Sequence, residues 1–199
     1  MIEAVLLLGA TGVGKSPLGD HLEGAGWQGR RCHHFDFGAH LRGVHAGRLR
    51  PDALSDADVA VVHRALETGA LLEDDEFPIA ASLLRDFLAR RAVGARDLVV
   101  LNGLPRHGGQ ARDVEEIVSI VAVFHLDAEP DTLLERIRRN TGGDRGARAD
   151  DDEAAVLRRL ERFRARTLAL QERYADRVRT VAVGVETGPE AVLGVLNET

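Results

Sequence analysis

Gly9-Ala10-Thr11-Gly12-Val13-Gly14-Lys15-Ser16 follows directly on the apolar run Ala4-Val5-Leu6-Leu7-Leu8, a complete G-x-x-x-x-G-K-S pattern between an expected strand and an expected helix. Glycines at this spacing let the backbone wrap tightly enough to aim its N–H groups inward, and the helix N-terminus behind them adds a partial positive charge. Such a cradle takes a chain of phosphates. Lys15 adds a full charge and Ser16 a hydroxyl for Mg²⁺. A glycine-rich turn with an ordinary surface lysine lacks this order of strand, loop and helix. Gly9, Thr11, Gly12, Gly14, Lys15 and Ser16 are therefore expected to bind the β- and γ-phosphates of a nucleotide, with Ser16 as the metal-side residue.

Outward from the loop, short β-rich runs alternate with helical patterns. Strands are expected at 4–8, 33–36, 98–101, 121–126 and 178–183. Helices are expected at 15–23, 38–46, 56–68, 76–91, 109–118, 131–139, 151–174 and 189–197. This alternation implies a parallel sheet of five strands flanked by helices, a three-layer α/β P-loop fold. Ser55 with Asp58, and Thr187 with Glu190, have the spacing of a helix cap and its reciprocal acid. Val156, Leu160, Phe163, Thr167, Leu170 and Tyr174 share one helical stripe, which predicts that this helix packs on the sheet.

The chain has 199 residues, is 44% hydrophobic and shows no shift in composition, which fits a single domain with one core. A formal net charge of −6 argues against a general binder of nucleic acid or anionic membrane. One cysteine, Cys32, forms no intrachain disulfide and reads as an inert strand residue. With no basic leader and no apolar stretch of spanning length, a cytoplasmic protein is expected. The histidines, among them His33, His34, His40, His45 and His107, lack metal-site spacing and are expected at the surface or sheet edge. Trp27 follows a helix-ending turn and is expected to pack.

Asn102-Gly103-Leu104-Pro105-Arg106, with Gln110 four residues on, resembles the D-G-F-P-R…Q element of adenylate kinases and related nucleoside monophosphate kinases. The N-terminal P-loop, Gly38-x-x-Leu41-Arg42 and Arg148-x-Asp150-Asp151 occur in that family's order, and the resemblance covers nearly the whole chain. Arg159 stands eleven positions after Arg148, as in the short-lid members. The resemblance implies an ATP- and Mg²⁺-dependent phosphotransferase, monomeric, with an acceptor-binding helical region near 37–75 and a short lid near 139–150. It implies that Lys15 grips ATP, that Arg42 and Arg106 hold the acceptor phosphate and that Gln110 contacts the acceptor base. It implies further that Arg136, Arg148 and Arg159 close on the transferring group, with Arg139 as a helper and Asp150 and Asp151 orienting the arginines. Phosphoryl transfer demands mainly alignment and positive charge, which suits arginine.

Asn102 departs from this pattern, because the family carries there an aspartate that organises the Mg²⁺ hydration shell. Phe37 and Ala39 depart around Gly38, and Glu73 begins an acidic run, Glu73 to Glu76, expected to be a solvated helix start. Asp36 opens a second reading, a P-loop kinase of a small hydroxylated metabolite with Asp36 orienting or deprotonating the alcohol. A third is a nucleotide-binding protein with little catalysis.

Overall fold

The computed structural model describes residues 1–144 and 153–198. β1 (Ile2–Gly9) leads through the glycine loop into α1 (Lys15–Ala25), then β2 (Cys32–Asp36) and α2 (Phe37–His45). α3 (Asp56–Thr68) and α4 (Phe77–Arg90) follow, with a 3₁₀ turn at Asp74–Glu76 between them, then β3 (Leu98–Asn102) and α5 (Gly108–Glu115). β4 (Val118–Asp127), α6 (Pro130–Arg139), α7 (Glu153–Arg162), α8 (Leu170–Arg173), β5 (Val178–Ala182) and α9 (Pro189–Glu198) come next.

The strands are all parallel, in the order β2-β3-β1-β4-β5. This is the expected α/β sheet. Parallel strands covered on both faces must be apolar along their length, and β1 from Ala4 onward and all of β3 are buried. The chain passes from β1 to β2 on one side and returns to β4 on the other. The loop after β1 therefore opens at the carboxyl ends of the central strands, where such sheets bind ligands.

Two boundaries differ from expectation. α5 ends at Glu115 and β4 starts at Val118, earlier than the expected 121. Val118 and Ile120 pair with Ile2 and Ala4, and the register then skips Val121, a bulge that leaves this valine 37% exposed. The second difference lies in the long helix expected at 151–174. Its first residues fall outside the described ones. Beyond α7 the turn widens into a π segment, Phe163–Thr167, with Leu168 N donating to Phe163 O at 2.9 Å. The apolar stripe survives, since Val156, Leu160, Phe163, Thr167, Leu170 and Tyr174 are all buried.

Ser55 and Asp58 form the reciprocal box at the start of α3: Ser55 Oγ accepts from Asp58 N at 3.2 Å and Asp58 Oδ2 accepts from Ser55 N at 2.9 Å. Thr187 Oγ1 instead accepts from Gly184 N at 2.9 Å, within the turn before α9. Trp27 packs edge-on against Phe124 with ring centroids 5.1 Å apart, and Cys32 is buried on β2. Among the described residues no helix is long and apolar enough to cross a membrane.

Candidate functional site

Three of the loop glycines, Gly9, Gly12 and Gly14, have positive φ, a region costly for residues with a Cβ. At Gly12 a Cβ would also lie 2.6 Å from Ile137 Cγ1, so α6 closes against the loop only because nothing projects there. Lys15 Nζ donates to the loop carbonyls of Gly9 at 2.7 Å and Ala10 at 2.8 Å, which holds its charge across the mouth of the cradle.

Beside the loop, the ends of β2 and β3 carry a polar network. Asp36 and Asn102 are register partners on these strands. Ser16 Oγ donates to Asp36 Oδ2 at 2.8 Å, and Asn102 Nδ2 lies 3.0 Å from Ser16 Oγ and 3.1 Å from Asp36 Oδ2. Asp36 also caps α2, its Oδ1 accepting from Ala39 N at 2.7 Å. Burial pushes the Asp36 carboxyl up, but the Ala39 N–H, the Ser16 hydroxyl, His34 and Arg42 together bring it below the ordinary carboxylate range.

Behind the network stands His34, with Nε2 3.3 Å from Asn102 Nδ2 and Nδ1 2.8 Å from Asp20 Oδ1. A carboxylate accepts, so the contact with Asp20 places a His34 proton on Nδ1. α1 accommodates this ring at Gly19, where a Cβ would meet Nε2 at 2.3 Å. His33 and His34 lie on the edge strand β2, as expected, but they are buried there, and His107 and His125 are buried too, His107 contrary to the surface or edge position expected. Each meets a polar partner inside the fold: His33 with Asp97, His34 with Asp20, and His107 with the Leu72 carbonyl.

Across from the loop lie the arginines. Lys15, Arg42, Arg106, Arg158, Arg159 and Arg162 line one open cleft of about 420 Å³, together with the acids Asp36, Glu67 and Asp144. The cleft concentrates positive charge in a chain whose formal net charge is −6. Arg106 is half-buried, and burial first, then the neighbouring Arg162 and Arg159, pushes its guanidinium down to about 10. Three like charges drawn together in a cleft make a site for a polyanion. Thr167, carried inward on the π segment, donates through Oγ1 to Arg106 O at 2.8 Å and fixes the backbone of that turn.

Two expected site residues stand elsewhere. Gln110 is fully buried, with Oε1 accepting from Arg106 N and Nε2 donating to Leu72 O, both at 2.8 Å. It builds the wall of the cleft and does not line it. Arg136 is also buried, on the far side of the loop: Nε donates to Gly12 O, and Nη1 to the carbonyls of Gly184, Val185 and Thr187 at 2.6–3.0 Å. This guanidinium clamps the glycine loop to the segment before α9, away from the arginines of the main cleft. Arg139 pairs with Glu135 and Glu186 at the surface. Arg148, Asp150 and Asp151, and the second half of the expected lid, lie outside the described residues. Glu73 does more than start a helix in solvent, since Arg166 grips it with two hydrogen bonds of 2.6 and 2.7 Å.

Residues that pattern reading missed are Arg158, Arg162 and Thr167 in the cleft and His34 beneath it. The arginines sit among many others on an amphipathic helix, and only the packed stripe on α7 and the π segment tells which of them face inward.

The fold and the loop define a P-loop α/β protein of the kind that binds phosphorylated ligands at its strand ends. The chain is 29% identical over 198 residues to an adenylate kinase of Synechococcus, across 96% of this chain and 95% of that one. It is 34% identical over 122 residues to an adenylate kinase of Deinococcus deserti, across 56% and 58% of the two chains. Adenylate kinase 1 of Drosophila melanogaster is 27% identical over 135 residues, a match that spans 57% of the fly protein. No family model matches. In sequence and in fold, the chain is similar to adenylate kinases over nearly its whole length.

Proposed function

We propose that the chain transfers the γ-phosphoryl group of ATP to a nucleoside monophosphate. The observation that carries this reading is the pair of anion-binding walls facing each other across one cleft: the glycine loop with Lys15 on one side, Arg42, Arg106, Arg159 and Arg162 on the other. The relatives named above carry the name adenylate kinase, which agrees. In this reading 1–199 is a single kinase domain, the region of α2 and α3 covers the acceptor and 139–150 forms the lid.

Each group then has a defined task. The loop N–H groups, Lys15 and the α1 N-terminus bind the β- and γ-phosphates. Arg42 and Arg106 orient the acceptor phosphate, whose attacking oxygen is already ionised and needs no general base. Arg159 and Arg162 neutralise charge that grows on the equatorial oxygens, and bringing both substrates into line removes most of the remaining barrier. Ser16 offers the hydroxyl oxygen expected of a P-loop cation site, and a bound Mg²⁺ supplies charge neutralisation on the phosphates. Both oxygens of Asp36 are engaged, Oδ2 by Ser16 and Oδ1 by Ala39 N, which favours a positioning task for this carboxylate over deprotonation of an alcohol.

The test is ADP release from Mg-ATP in the presence of AMP, CMP, UMP, GMP and their deoxy forms. Acceptor-dependent release that collapses in Arg42→Ala is the expected result. Release that depends on a phosphate-free alcohol and ignores Arg42 would overturn it.

A further inference from the structure

The end of β2 carries a carboxylate hydrogen-bonded to the hydroxyl of the phosphate loop, and the neighbouring end of β3 carries a neutral amide. Hard divalent cations take oxygen ligands, and Mg²⁺ in nucleotide sites uses one or two protein carboxylates with phosphates and water. Among the described residues no three His, Cys, Asp or Glu side chains converge on a metal position. A cation in this cleft therefore draws on a small protein donor set and on the nucleotide.

We propose that Asp36 is the protein carboxylate of a divalent-cation site shared with Ser16, so that the cation is held from the end of β2. Asn102 is then the amide that orients this carboxylate.

The polarity of the contacts supports this assignment. Ser16 Oγ spends its proton on Asp36 Oδ2 at 2.8 Å and one lone pair on Asn102, which leaves the other lone pair for a cation. Asn102 Nδ2, 3.0 Å from that oxygen and 3.1 Å from Asp36 Oδ2, donates to both. Asp36 Oδ1 is fixed by Ala39 N at 2.7 Å, so the carboxylate is locked in one rotamer with both oxygens at the cleft floor beside Lys15. An aspartate at position 102 would face Asp36 across the same 3.1 Å contact as a second negative charge. Asparagine removes that repulsion and keeps the donor, so the two positions form one unit with a single carboxylate.

This inference rests on the cleft being an ATP site, and the two are tested separately. ATP affinity is measured by calorimetry in EDTA, and Mn²⁺ affinity of the ATP complex by the loss of the free Mn²⁺ spin-resonance signal. Asp36→Asn keeps the helix cap, because asparagine caps as well as aspartate, but it sets two amide donors face to face. The expected result is a loss of Mn²⁺ affinity of about 10-fold or more, with ATP affinity in EDTA within about threefold of wild type. The exchanged pair, Asp36→Asn with Asn102→Asp, restores donor to acceptor and should recover Mn²⁺ affinity.

Wild-type Mn²⁺ affinity in Asp36→Asn overturns the assignment, as does an equal loss in the exchanged pair. A wild-type chain that takes up no ATP in EDTA refutes the ATP-site reading and this inference with it.

Discussion

Replacing Arg106 by methionine should move stability and activity in opposite directions. Methionine keeps much of the apolar stem and removes the charge. In the folded chain the guanidinium is pushed down to about 10, by burial and then by Arg162 and Arg159. An ordinary arginine ionises well above this, and at about 1.4 kcal/mol for each tenfold change the surroundings disfavour the charge by about 3 kcal/mol. Solvent reaches this side chain, and screening reduces the expected gain in stability on its removal to about 1 kcal/mol. For a depressed cation the cost is present at every pH below the folded value, so the gain should be constant from neutral pH to about 9 and vanish towards about 12. Chemical denaturation at pH 7 and pH 9 measures it. In the same variant kcat/KM with the preferred monophosphate should fall on the order of 10²–10³, the effect of losing one preorganised donor to a charged transition state. A variant less stable than wild type by about 1 kcal/mol or more would refute the reasoning, because it would mean that Arg106 is held by partners in the fold and not by repulsion awaiting an anion.

The same electrostatics makes the cleft a stabilising ligand site: ATP at about 100 times its Kd should add about 2.7 kcal/mol, or roughly 5–11 °C in Tm, and Lys15→Ala should abolish the shift. Gly19→Ala drives a methyl into His34 and should cost about 1–3 kcal/mol by denaturation; a neutral result would show that His34 does not hold the floor of the site. Gln110→Ala strands the Arg106 N–H and leaves the Leu72 carbonyl only its contact with His107, and should destabilise by about 1–3 kcal/mol. A large change in which base is accepted, with unchanged stability, would restore the base-contact role expected from the sequence.

The scaffold was legible because its signals are local. The apolar runs around Ala4 to Leu8 and Leu98 to Leu101 can only be buried parallel strands, and the glycine loop fixes which end of the sheet faces ligand. Ser55 and Asp58 capped α3 as their spacing predicts. The arginines were harder, because a sequence gives their helix face only as well as it gives the helix. Arg136 and Arg159 have similar local patterns, yet the first is drawn onto backbone carbonyls by the turn before α9 and the second lines the cleft. Gln110 stands at the family's spacing from Arg106, but spacing does not reveal that the Leu72 carbonyl lies within 2.8 Å of its amide. The buried histidines escaped notice for the same reason, since Asp20, Asp97 and the Leu72 carbonyl are brought to them only by tertiary packing.

The central claim is that donor and acceptor phosphates meet in one cleft between the glycine loop and the arginine wall. Calorimetry with a two-headed ligand, two nucleosides joined by five phosphates, tests it most directly. The account predicts binding at least about 100-fold tighter than ATP alone, because the second head binds at high effective concentration, with the advantage lost in Arg106→Met and all binding lost in Lys15→Ala. Affinity equal to that of ATP, and unchanged in Arg106→Met, would contradict it.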